Sequence, residues 1–167
     1  LKHIQKAYTV DGRTFPVLKD ICLQIPENSI TVLLGKSGCG KTTLLRLVGD
    51  LEKPNSGEIR FAVTHKTAFV FQEPSSIPWK TVEENLRFGL ELKKLPKKEI
   101  DERVENIIKL MGLQNFRDAY PHQLSVSTEQ RIIIGRAFAM NPDLLLMDDH
   151  VSPEVREQYR SKGIEIQ

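Results

Sequence analysis

Apolar and polar positions change their period twice along the chain. Lys2 to Val10 and Val17 to Ile25 carry strand-type runs on either side of a turn at Asp11-Gly12. Pro26-Glu27-Asn28 then punctuates before a third run, Ser29 to Leu34. That run is almost wholly apolar, which predicts a strand covered on both faces within a parallel sheet. A glycine-rich loop follows, after which Leu44, Leu45, Leu47, Val48 and Leu51 fall at helical spacing. Pro54-Asn55-Ser56-Gly57 reads as a turn, with short strands predicted over Glu58 to Val63 and Thr67 to Phe71.

From about Gln72 the pattern becomes helical. Thr81-x-x-Glu84 is a capping box that opens a helix running to about Leu92. Lys97 to Met111 places Ile100, Val104, Ile107, Ile108 and Met111 on one face, and Gly112 stops it. Ser127-x-x-Gln130 predicts a second capping box before an apolar helix through Ala139, which Asn141-Pro142 breaks. Asp143 to Met147 returns to buried-strand character. The order strand, loop, helix, helical insert and strand predicts an α/β fold with a mainly parallel sheet, N-terminal antiparallel strands and an inserted α-helical lobe. The expected segments are a core over 1–75, the helical lobe over 76–139, and a return to the core over 140–167.

Composition narrows the classes. The chain has 167 residues, room for one domain or for one core with a small inserted lobe. Lys and Arg number 24 against 22 Asp and Glu, a net +2 that gives no electrostatic footprint for nucleic acid. Two cysteines, Cys22 and Cys39, exclude a disulfide framework and a four-cysteine zinc site, and are expected as reduced thiols. No apolar run approaches the ~18 residues of a membrane span, and Leu1 to Val10 lacks the apolar stretch of a secretory signal. The chain begins at Leu1 rather than Met, which suggests a piece of something longer.

Chemistry concentrates in two places. Gly35-Lys36-Ser37-Gly38-Cys39-Gly40-Lys41-Thr42 fits G-x-x-x-x-G-K-[ST], the P-loop, between a predicted strand and an amphipathic helix. Glycines let backbone N–H groups close around phosphate oxygens, Lys41 reaches the β/γ-phosphates, and Thr42 offers a hydroxyl to Mg²⁺. Leu144-Leu145-Leu146-Met147-Asp148 has the form of a strand ending in a carboxylate that helps hold Mg²⁺, and Asp149 beside it is a candidate general base for an attacking water. A histidine-metal reading of His122 is poor, because the four histidines show no ligand spacing.

With these motifs the chain resembles the ATP-binding subunit of ABC transporters, most closely bacterial importers of the nitrate, sulfonate and taurine type, from about Lys2 to Ser152. Ser37 to Leu45 is similar to the family P-loop, and Leu51 to Gly57 to the turn after it. Phe71-Gln72-Glu73-Pro74 with Pro78-Trp79 resembles the Q-loop, and Tyr120 to Ser125 the approach to the signature motif. The resemblance implies that Tyr8 stacks on adenine and that Ser37, Gly38, Cys39, Gly40, Lys41, Thr42 and Thr43 hold the phosphates. It further implies that Thr42, Gln72 and Asp148 serve Mg²⁺, while Gln72 and Asp149 position water. Ser125, Val126, Ser127 and Thr128 would act in trans across a head-to-tail dimer with a second ATP-binding subunit. The implied cofactors are ATP and Mg²⁺. The implied partners are a membrane permease, met by the segment from Pro74 to about Asn85, and indirectly an external solute-binding protein, with no nucleic acid. The implied location is cytoplasmic, peripheral on the inner face of the membrane.

Departures from the family pattern cluster in the second half. The signature L-S-G-G-Q stands here as Leu124-Ser125-Val126-Ser127-Thr128, where a β-branched side chain replaces a glycine. Ser127 is expected to cap the following helix. Asp149 stands where the family has a catalytic glutamate, so its carboxylate is withdrawn by about 1.5 Å, one C–C bond. His150 follows in place of a proline, and no strand ending in a switch histidine follows before Gln167. Two functions therefore stay open: an ATPase subunit that energises import, and a degenerate non-catalytic nucleotide-binding module with a regulatory or structural role. A P-loop kinase or GTPase is disfavoured, since Q-loop and signature remnants have no use there.

Overall fold

A computed structural model describes residues 1–62, 64–71 and 75–148. The chain divides into two compact units, one formed by Leu1–Thr64 with Asp148 and the other by His65–Met147. No helix among the described residues is long and apolar enough to cross a membrane.

In the first unit, β1 (Lys2–Val10) and β2 (Arg13–Ile21) form an antiparallel hairpin closed by the pair Val10–Arg13. Asp11 and Gly12 both take positive φ, 49° and 74°, the conformation whose twist matches that of the flanking strands. The second strand thus begins immediately after the turn and ends at Ile21, rather than spanning Val17 to Ile25. β2 lies at the edge of the sheet order β2-β1-β3, so Pro16 within it sits where an edge tolerates a missing N–H. α1 (Lys41–Val48) lays Leu44 and Leu47 against Ile4 and Leu18 to make this unit's core. β3 is short, Ser56–Glu58, and pairs with β1.

The expected strand over Ser29 to Leu34 is corrected. Among the described residues these positions form no strand, and Ile30 is 95% exposed. Leu33 alone of the run packs against the hairpin core. An apolar run states a preference for burial, but a strand also needs a neighbour to complete its ladder, and no described strand pairs with this one.

In the second unit, β4 (Thr67–Val70) pairs in parallel with β5 (Leu144–Met147), residue for residue from Thr67–Leu144 to Val70–Met147. This pair is a two-stranded sheet of its own and supplies the parallel pairing among the described residues. Between its strands run α2 (Val82–Leu92), α3 (Lys97–Met111) and α4 (Val126–Ala139), with single 3₁₀ turns at Gln114–Phe116 and Pro121–Gln123. α2 opens with the predicted capping box, Thr81 accepting from the Glu84 N–H while the Glu84 carboxylate accepts from the Thr81 N–H. α3 has the predicted bounds and ends at Gly112 with φ 66°. α4 is apolar on two sides because it is covered on two sides. Ile132 and Ala139 join the helical core of Leu86, Leu90, Val104 and Ile108, whereas Ile133 and Ala137 pack on Val70 of β4.

Candidate functional site

The loop before α1 is shaped by its own backbone. Gly38 and Gly40 take φ of 78° and 100°, and the Cys39 N–H donates to the Lys36 carbonyl at 3.2 Å. At Gly40 a β-carbon would lie 2.8 Å from Leu18 Cδ2 and 3.0 Å from Val17 Cγ1, so the glycine allows both the turn and the close approach of β2. Lys41 folds back over the loop, its Nζ donating to the Gly35 carbonyl at 2.6 Å and the Lys36 carbonyl at 3.0 Å, with Cys39 Sγ 3.8 Å away. Ser37 and Cys39 are exposed on the loop, while Thr42 and Thr43 are half-buried in the first turn of α1.

The start of α1 differs chemically from those of α2 and α4. α2 carries a Thr81 cap with Glu83 and Glu84 in its first turn, and α4 a Ser125 cap with Glu129. α1 has neither a side-chain cap nor an acidic residue there. Its leading N–H groups and the positive end of its dipole are thus left for an anion. Thr42 Oγ1 donates to Asp148 Oδ1 at 3.0 Å, joining two residues 106 positions apart within the first unit. A hydroxyl and a carboxylate oxygen side by side are hard-cation donors of the kind Mg²⁺ takes alongside phosphate oxygens. The donor set therefore fits both implied groups: N–H groups and an ammonium for phosphates, two oxygens for the cation.

Tyr8 lies on β1, half-buried. Its hydroxyl donates to Glu52 Oε2 at 2.7 Å, and Lys6 Nζ stands 5.2 Å from its ring centroid. The Tyr8 hydrogen bond, with Lys6 and Arg46 nearby, holds the Glu52 carboxyl below its ordinary range despite partial burial. The ring is therefore fixed in orientation by a partner at its hydroxyl.

The altered signature sits at the start of α4, with one correction. The cap is Ser125 rather than Ser127: its Oγ accepts from the Thr128 N–H at 3.2 Å, and also meets the Ser127 and Thr128 hydroxyls at 3.0 and 2.8 Å. Ser125 is extended, at φ −70° and ψ 155°, and the helix already includes Val126. A β-branched residue is accommodated because the backbone there is right-handed helical and the Val126 side chain points out, 79% exposed.

Between the Q-loop and α2, three polar side chains pin the chain. Arg136 on α4 donates to the Ser75 carbonyl, the Ser76 hydroxyl donates to the Glu129 carboxylate, and Asn85 holds Ile77 and Lys80. Burial holds the Arg136 guanidinium below its ordinary value. A groove of about 360 Å³ lies beside this segment, lined in part by Phe69, Phe71, Ser75, Phe88, Arg136 and Met140. Trp79 projects from the pinned segment, 77% exposed. The sequence marks Asn85 only as the end of the permease-facing segment and Arg136 only as part of the stretch leading to Walker B, and gives neither a pinning role; the one available signal was a polar residue at each helix's apolar spacing. Gln72 and Asp149 lie outside the described residues, as does His150.

Residues 18–152 match the family model described as ABC transporter. The chain is 39% identical over 155 residues to an uncharacterised ABC transporter ATP-binding protein of Methanocaldococcus jannaschii, covering 89% of this chain and 58% of that one. It is 37% identical over 159 residues to the sulfate/thiosulfate import ATP-binding protein of Mycobacterium tuberculosis, covering 88% of this chain and 45% of the relative. Among solved structures it resembles a dimeric ATP-binding cassette in a post-hydrolysis state bound to ADP and Pi, with a TM-score of 0.77 and 31% identity over 87% of this chain and 71% of that chain. The chain thus spans about half the length of these two curated relatives. It belongs to the ABC transporter family, and its fold is that of the ABC ATPase cassette.

Proposed function

From that membership as premise, we propose that the chain binds Mg²⁺ and ATP at the Gly35–Thr42 loop and hydrolyses the nucleotide to energise solute import through a membrane permease. The observation that carries this reading is the Thr42–Asp148 contact at 3.0 Å, which sets a carboxylate beside the loop that Lys41 closes. Bound Mg²⁺ supplies charge neutralisation for the transferred phosphoryl group. Thr42 and Asp148 hold the ion, the α1 N–H groups and Lys41 orient the phosphates, and Ser37, Gly38, Cys39, Gly40 and Thr43 shape the cradle. Tyr8 offers its ring to adenine. Gln72 and Asp149 position the water. Ser125 to Thr128 meet the nucleotide of a second ATP-binding subunit in a head-to-tail dimer. The pinned segment before α2, with Trp79 outward and the groove beside it, suits the permease. The subunit then works at the cytoplasmic face of the membrane, and the solute is chosen by the permease and an external solute-binding protein. The finer reading, an importer of the nitrate, sulfonate and taurine type, rests on the Q-loop and P-loop residues quoted above.

A second reading, a non-catalytic nucleotide-binding module, is favoured by one feature: Val126 presents a branched side chain where the trans surface of the family carries glycine. Thermal unfolding with and without Mg²⁺ and ATP, followed by single-turnover hydrolysis, decides both points. At a hundredfold excess over Kd, binding stabilises by about 2.7 kcal/mol. For a chain of this size that is roughly 5–10 °C in Tm. Lys41→Ala removes most of the shift. Absence of a shift in the wild type refutes the nucleotide-binding reading, and a shift without turnover selects the non-catalytic module.

A further inference from the structure

Outside the nucleotide loop, three side chains of different donor type converge on the exposed end of the first hairpin. His3 Nδ1 lies 2.7 Å from Asp20 Oδ1 and 3.7 Å from Cys22 Sγ. The donor atoms of all three residues lie within 4.8 Å of one another, and the three side chains are exposed. We propose that His3, Asp20 and Cys22 form a surface site for a divalent cation of the zinc class, with a position left open to water.

The nitrogen–sulfur separation and the ligand chemistry agree, while the His3–Asp20 contact of 2.7 Å opens to about 3.4 Å to admit the ion. Tetrahedral zinc with Zn–N near 2.0–2.1 Å and Zn–S near 2.3 Å sets the two donors about 3.6 Å apart. The nitrogen–sulfur separation here is 3.7 Å, so both atoms reach one ion without rearranging the backbone. A thiolate and an imidazole select a borderline-soft metal over Mg²⁺ or Ca²⁺, and the carboxylate supplies a third ligand that zinc accepts. The His3–Asp20 contact and the His3 N–H bond to Cys22 Sγ already draw the three side chains together, so the ligands are gathered before an ion arrives.

The backbone is committed to this arrangement. One position beyond the Ile4–Ile21 pair on each side, the His3 N–H donates to Cys22 Sγ at 3.3 Å. Both His3 and Asp20 hold positive φ, 50° and 53°, inside strands where extended backbone is the rule. Such conformations are costly for residues with a side chain and persist where the surroundings or a function require them. Linear spacing hides the site, because the ligands lie 17 and 19 positions apart and only the strand register unites them. A bound ion would tie the open end of the β1–β2 hairpin.

The test uses the full chain, reduced and stripped of metal, titrated with Co²⁺ and then with Zn²⁺. One equivalent of Co²⁺ should bind with a thiolate-to-cobalt charge-transfer absorption that Zn²⁺ displaces. Cys22→Ser should abolish the band, Cys39→Ser should retain it, and Asp20→Asn should weaken Zn²⁺ at least tenfold. Thermal unfolding of each metal-free variant confirms that it is folded. In the wild type, Zn²⁺ should slow alkylation of Cys22 at least tenfold while Cys39 reacts as before, a readout that needs no variant. No thiolate band, a band that follows Cys39, or equal alkylation of Cys22 with and without Zn²⁺ overturns the site.

Discussion

Replacing Asn85 by alanine removes the clamp on the segment before α2. Asn85 is fully buried on the first turns of that helix. Its Oδ1 accepts from the Ile77 N–H at 2.8 Å, and its Nδ2 donates to the carbonyls of Ile77, Lys80 and Thr81 at 3.1, 2.9 and 2.9 Å. The Thr81 carbonyl keeps the Asn85 N–H and the Ile77 carbonyl keeps the Lys80 N–H, so two backbone groups, the Ile77 N–H and the Lys80 carbonyl, lose their counterpart. A lost hydrogen bond is worth about 1 kcal/mol, and an unsatisfied buried group up to about 3. Ile77 and Lys80 are only half-buried, so water recovers part of the loss. The expected destabilisation is about 1–3 kcal/mol, or roughly 3–10 °C in Tm for a chain of this size. Asn85→Asp is the informative partner: it keeps the acceptor for Ile77 but turns a second oxygen toward three carbonyls. Its carboxyl is pushed up in the folded state, so this variant should recover stability as the pH falls, unlike Asn85→Ala. Urea unfolding at pH 7 and pH 5, with amide exchange at Ile77 and Lys80, reads both effects. An alanine variant within about 0.5 kcal/mol of wild type, or an Asp variant indifferent to pH, would refute the clamp.

Other expectations follow from single contacts. Gly40→Ala forces a non-glycine φ of 100° and a β-carbon 2.8 Å from Leu18, so isothermal titration should show ATP affinity falling tenfold or more, whereas Gly38→Ala, with open space around it, should lose less; equal losses would argue against the steric reading. Tyr8→Phe removes the hydrogen bond that most lowers the Glu52 carboxyl. Because a lowered folded value gives stability above the unfolded value that is lost as pH falls through the folded one, the gap between Tyr8→Phe and wild type should be about 1–2 kcal/mol at neutral pH and close in acid. A gap independent of pH in denaturant titrations would show that Glu52 is not the partner that matters. Asp149→Glu should raise kcat in steady-state hydrolysis with little change in ATP affinity, and more so when combined with glycine at Val126 and Ser127; normal turnover by the wild type would show these departures to be harmless.

Local sequence was enough wherever the determining interactions span a turn or less. The bounds of α3, its stop at Gly112 and the Thr81–Glu84 capping box depend on hydrogen bonds and apolar spacing within four residues. The P-loop was legible for the same reason, since its glycines, Lys41 and Thr42 occupy eight consecutive positions. Tertiary structure decided what pairing and register decide. Ser29 to Leu34 reads as a strand and pairs with none described, because composition does not choose a neighbour. The α4 cap moved to Ser125 because the chain stays extended through Leu124 and Ser125 and turns helical at Val126, and two adjacent serines offer the sequence both choices. Asn85 acts through carbonyls outside its own helix, and the meeting of Thr42 with Asp148 spans most of the chain. His3, Asp20 and Cys22 form no motif in one dimension; the antiparallel register of β1 and β2 brings them together, since facing residues in a hairpin are neighbours whatever their separation along the chain.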